Sequence, residues 1–103
     1  MNYLKKVLID YGCPSNANYI EDSFNANGCS FRKLGEILIN VGTVLEEYTE
    51  ENTYIVCVRV NLNPATISIQ LKNGKINLVA YAKEGWIKQK TAQKAVEKIK
   101  MCF

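Results

Sequence analysis

The dipeptide Asn73-Gly74 constrains the fold of this chain more than any other pair of neighbours in it. Asn and Gly tolerate positive φ at both centres of a two-residue hairpin loop, and the flanking residues test that reading. With these two as the loop, Lys72 faces Lys75, Leu71 faces Ile76, Gln70 faces Asn77, Ile69 faces Leu78, Ser68 faces Val79, Ile67 faces Ala80 and Thr66 faces Tyr81. One face then collects Ile67, Ile69, Leu71, Ile76, Leu78 and Ala80, and the other collects Thr66, Ser68, Gln70, Asn77, Val79 and Tyr81. A slip of one residue would mix the two sets, so turn chemistry and binary pattern predict the same register.

Upstream, the β-branched run from Thr53 to Val60 puts Tyr54, Val56, Val58 and Val60 on one side and Ile55, Cys57 and Arg59 on the other. Apolar groups on both faces predict a central strand. The connection Asn61-Leu62-Asn63-Pro64 carries turn chemistry at ordinary hairpin length. The expected sheet is a three-stranded antiparallel meander over about residues 53–82. Its apolar face needs a cover. Ala92, Ala95, Val96, Ile99 and Phe103 recur at helical spacing and predict an amphipathic C-terminal helix from about Ile87 or Lys90, with Thr91 as a possible first cap.

The N-terminal half reads as helical. Leu4, Val7, Leu8 and Tyr11 predict a short helix ending at Gly12, and residues 15–25 predict another with Ile20 and Phe24 inward, stopped by Asn27-Gly28. Between residues 30 and 51, Phe31, Leu34, Leu38, Val41, Leu45 and Tyr48 form a heptad-like stripe after Ser30, a plausible cap. Gly35, Gly42 and the β-branched Ile37, Ile39, Val41, Thr43 and Val44 argue against it. The balance favours one helix over a fourth strand. The whole is expected to be a single α+β domain, residues 1–103, with N-terminal helices, the meander and the C-terminal helix.

Composition narrows the class further. At 103 residues, with 48% apolar and 22% charged side chains, the chain has the profile of one folded domain. It contains no apolar run long enough to span a membrane and no signal-like leader, so the expected setting is the cytoplasm. The four cysteines, Cys13, Cys29, Cys57 and Cys102, are widely spaced, with no C-x-x-C and no histidine. That is not a zinc pattern, and reduced thiols are expected.

Catalysis finds little to work with. Histidine, the commonest acid-base group, is missing, and no phosphate loop, dinucleotide turn or nucleophile elbow occurs. An enzyme using Cys57 or the pairs Glu46-Glu47 and Glu50-Glu51 is the weakest reading. No motif implies a cofactor or metal. Charge, however, is sorted along the chain: residues 1–51 hold four cations against eight carboxylates, −4, and residues 52–103 hold nine against two, +7. Lys72, Lys75, Lys83, Lys88, Lys90, Lys94, Lys98 and Lys100 supply most of the basic half. Two functions follow as expectations. The first is a small non-enzymatic protein-interaction module of inhibitor, immunity, adaptor or self-associating type. It would contact a protein partner or a second copy through Arg59, Gln70, Tyr81 and Trp86 on the polar sheet face and its rim. The alternative is nucleic-acid binding by Lys88, Lys90, Lys94 and Lys98, with lysine rather than arginine favouring long-range attraction over base reading.

Overall fold

The computed structural model describes residues 2–84 and 90–103. Helix α1 (Tyr3–Tyr11) is opened by Asn2, whose side chain accepts the Leu4 N–H at 2.8 Å, and closed by Gly12 at φ 133. Strand β1 (Ile20–Asn25) follows, then helix α2 (Phe31–Val41), capped by Ser30 Oγ, which accepts the Lys33 N–H at 3.0 Å. Gly42 alone separates α2 from strand β2 (Thr43–Tyr48), and a 3₁₀ turn (Thr49–Glu51) leads into β3 (Thr53–Val60). Strands β4 (Asn63–Lys72) and β5 (Lys75–Tyr81) and helix α3 (Thr91–Lys100) complete the chain.

The sheet has five antiparallel strands in the order β1-β5-β4-β3-β2, which corrects the expected three. Both added strands come from segments expected to be helical. Residues 20–25 contain Asp22, Ser23 and Asn25, whose side chains compete for backbone hydrogen bonds and weaken a helix. The bare edge of β5 offers those backbone groups partners, with Ile20 opposite Ala80 and Asn25 opposite Lys75. In the 30–51 segment the helix stops at Val41, and the β-branched Thr43 and Val44 extend against Cys57 and Val56.

The misleading heptad has a physical origin. Phe31, Leu34 and Leu38 do lie on the inward stripe of α2, but Leu45 and Tyr48 belong to a strand. The pairing of β2 with β3 shifts between Val44 and Glu46, so one extra residue enters the strand. A bulge of this kind places residues three apart on one face, which is also helical spacing.

The β4–β5 register is that of the Asn73-Gly74 hairpin, Lys72 opposite Lys75 through Thr66 opposite Tyr81. Its Ile67, Ile69, Ile76, Leu78 and Ala80 are buried with Tyr54, Val56 and Val58 of β3 beneath α2 and α3, which insert Leu34, Leu38, Ala95, Val96 and Ile99. Helix α1 lies on the opposite, outer face, burying Leu4, Val7 and Leu8 against Ile55 and Val79. There the buried Ser68 hydroxyl donates to the Leu4 carbonyl at 2.7 Å, tying α1 to the central strand.

An ion pair between Lys100 and Asp22 joins the acidic and basic halves. Lys100 Nζ lies 3.0 Å from Asp22, with the same ammonium 6.0 Å from the Phe24 ring. The Ser23 backbone N–H, followed by Lys100, holds the Asp22 carboxyl below its ordinary range. A carboxyl lowered by folding adds stability above its unfolded value of about 3.9, and that stability is lost as pH falls through the folded value. Asp22→Asn is therefore expected to flatten the loss of melting temperature on acidification below about pH 4. Identical acid profiles for the two proteins would show that the contact does not contribute.

Candidate interaction surface

The side chains singled out in the sequence do not meet at one place. Gln70 lies opposite Thr53 and Arg59 opposite Pro64, and positions 53 and 59 of a strand are about 20 Å apart. Gln70 Nε2 donates to the Glu51 carbonyl at 3.0 Å, so it fastens the turn before β3. Arg59 is exposed on the outer face, its Nη1 3.4 Å from the Leu62 carbonyl. Tyr81 is half-buried against Tyr19, ring centroids 5.6 Å apart, and Lys5 sits 5.0 Å from the Tyr19 ring. Trp86 and Lys88 lie outside the described residues.

The lysine stripe is similarly divided. Lys98 Nζ donates to the Arg59 carbonyl at 3.0 Å, closing the end of β3, whereas Lys94 is exposed on α3 and Lys90 is exposed just before it. Lys90 stands at the start of that helix, and with Tyr81 it lines a cavity of about 420 Å³ between β1, β5 and α3. The outer sheet face is thus partly covered, by α1 over its centre and by residues 13–19 near Tyr81.

A different surface emerges on the acidic side. Tyr3 and Tyr11, on α1, are 42% and 43% exposed, and Tyr48 and Leu45 of β2 pack against the cluster that Leu4, Val7 and Leu8 of the same helix form with Ile55 and Val79. The Tyr48 hydroxyl is pushed up from its ordinary value by burial and then by Glu46, Tyr3, Asp10 and Tyr11. Three tyrosines and two carboxylates therefore share one neighbourhood. The residue types suit an interface, because tyrosine offers a large apolar ring with a polar tip at small entropic cost. Sequence periodicity placed Tyr11 on the buried stripe of α1 and Tyr48 on a helix. The strand assignment of residues 43–48 is what brings them together.

On the inner side of β2 the chain leaves a groove of about 450 Å³, lined by Phe31, Gly35, Ile39, Val44, Glu47 and Tyr54 among others. Its floor is the stacked pair Phe31 and Tyr54, with ring centroids 4.3 Å apart at 15° and the Tyr54 hydroxyl donating to the Phe31 carbonyl at 2.9 Å. Burial, and then Glu47, pushes that hydroxyl above its ordinary value. Gly35 is required here by close approach: a Cβ at this position would come within 2.5 Å of Tyr54 Oη. Ile39 stands on the rim, 67% exposed.

The thiols are free, and burial raises Cys13 and Cys29 above their ordinary range, leaving less of the nucleophilic thiolate. Among the described residues no three Cys, Asp or Glu side chains form a metal-holding group, and no helix is long and apolar enough to cross a membrane. Compared with protein-family models, curated proteins and solved structures, the chain matches none.

Proposed function

We propose that this chain is a non-enzymatic protein-interaction module, working in the cytoplasm, that contacts its partner through the acidic side of the molecule. The observation carrying this reading is the tyrosine-carboxylate surface of α1 and β2, where Tyr3 and Tyr11 are more than a third exposed beside Asp10, Glu46 and Tyr48. Solvated carboxylates alone would be ordinary surface, and it is the exposed tyrosines beside them, a residue type enriched at contact surfaces, that support the reading. Four free thiols are compatible with a reducing compartment.

The test is retention of a stoichiometric partner from a native lysate on the immobilised full chain, with light scattering on the free chain. Replacing Tyr3 and Tyr11 together by serine is expected to release the partner and leave the melting temperature nearly unchanged, since both rings are substantially exposed. A strictly monomeric chain that retains nothing would sink the proposal. Retention lost through Lys90→Glu and Lys94→Glu instead, with affinity for DNA or RNA falling steeply with salt, would establish the nucleic-acid reading.

A further inference from the structure

Strand β2 is an edge of the sheet, hydrogen-bonded to β3 on one side and to no strand on the other among the described residues. An edge with free backbone donors and acceptors is a template for another extended chain. What distinguishes β2 from an ordinary edge is its flanks. Side chains of an added strand would point alternately to the two sheet faces. On the inner face they would meet the groove of about 450 Å³ between α2 and β2, floored by Phe31 and Tyr54 and rimmed by Ile39. On the outer face they would meet Tyr48 and Leu45, with Glu46 beside them.

The charge along this edge selects the occupant. Glu46 and Glu47 lie opposite Ile55 and Tyr54, one on each face, and Glu50 and Glu51 follow in the turn. Among the described residues no ion pair reaches any of the four. The nearby cations Arg32 and Lys33 lie 3.7 and 4.0 Å from Glu36 on their own helix. A second copy of the chain is a poor occupant, since the other edge strand, β1, carries Glu21 and Asp22. Pairing β2 with either β2 or β1 of a copy sets carboxylates against carboxylates, which disfavours the pair. Negative charge on an edge thus rejects copies of this chain while remaining open to a basic strand.

We infer that β2 accepts an extended segment of a partner protein by strand addition, the segment alternating Lys or Arg with apolar or aromatic residues. Its backbone pairs with β2, its apolar side chains enter the α2–β2 groove on the inner face, and its cations face Glu46 on the outer face, with Glu47 at the groove adding to the negative field of the edge. This rests on the interaction reading above and names the partner's chemistry.

The experiment is selection of heptapeptides from a random displayed library on the immobilised full chain, followed by NMR titration with the synthetic enriched peptide. The expected peptides are basic and alternating, and they shift the amides of β2 and α2. N-methylation of the peptide backbone at alternate residues, which leaves the protein untouched, should weaken binding about tenfold or more if main-chain pairing supplies the affinity. The exposed double substitution Glu46→Lys, Glu47→Lys should produce a loss of similar size, about tenfold. Enriched peptides that tolerate N-methylation, or that shift amides of α1 or α3 instead, would overturn strand addition and leave the interaction reading standing. A dimer that depends on Glu46 and Glu47 would overturn the choice of occupant. A library yielding nothing would overturn the inference, while lysate retention and light scattering decide the broader reading separately.

Discussion

Replacing Ile67 with alanine is expected to destabilise the protein by about 2–5 kcal/mol, a large part of the 5–15 kcal/mol that typically holds a domain together. Ile67 is fully buried in the middle of β4, the central strand, opposite Val56 on one side and Ala80 on the other. The core around it is roofed by α2 and α3 through Leu34, Leu38, Ala95, Val96 and Ile99. Closing the cavity would require strands paired on both sides to move, so little collapse is available and the upper part of the range applies. Urea unfolding should show a lower midpoint with unchanged slope. Ile39→Ala makes the same chemical change at a position 67% exposed and should stay within about 0.5 kcal/mol. Equal effects at the two positions would mean that the core is not where the structure places it.

The hairpin and the faces of β3 were legible because each rests on a local signal reinforced by period-two alternation over several residues. The edge strands were not, because their partners are remote and their local signals conflict. Ile20 and Phe24 are four apart, a spacing that serves a helix stripe and a strand face equally well. Only the open edge of β5 decides between them, and that edge is more than fifty residues away along the chain. In residues 30–51 the glycines were the better guide than the heptad. Gly42 marks the end of α2, while the bulge after Val44 gives a strand the spacing of a helix. The groove and the tyrosine cluster exist only because residues 43–48 form an edge strand beside α2, a pairing that no local signal in the segment specifies.

Charge sorting pointed first toward the lysines, but several of them serve the fold. Lys98 closes the end of β3, Lys100 holds Asp22, and Lys72 and Lys75 face each other at the hairpin tip. Like charges opposed there are tolerable in water and discourage pairing at the tip. The carboxylates of β2 and its turn have fewer such duties: Glu47 accepts the Thr49 hydroxyl at 2.9 Å, and Glu46 and Glu50 have no ion-pair partner among the described residues. An acidic edge beside an aromatic-floored groove is therefore the better functional candidate than the more numerous lysines.

Substituting alanine for Gly42 is expected to disturb that edge selectively and to cost about 1–3 kcal/mol or more by overpacking. Gly42 has φ −167 and ψ −150, extended backbone open to any residue, so the constraint is space. A Cβ there would run into the Cys57 carbonyl oxygen and lie 3.2 Å from Val58 Cγ2. The obstructing atom is main chain of β3, paired with Ala65 and Thr66 of β4 on its other side, and it cannot swing away as a side chain would. Either α2 lifts from the sheet or the first pairs of β2, Thr43 with Cys57 and Val44 with Val56, separate. Native-state hydrogen exchange should therefore show β2 amides losing protection while the β4–β5 hairpin retains it, because local opening need not involve the centre of the sheet. Binding of a strand-forming peptide should weaken in parallel, since the template and the groove are displaced together. A Gly42→Ala protein with unchanged stability and β2 protection would show that α2 and β2 are not joined in the close geometry on which the proposed site depends.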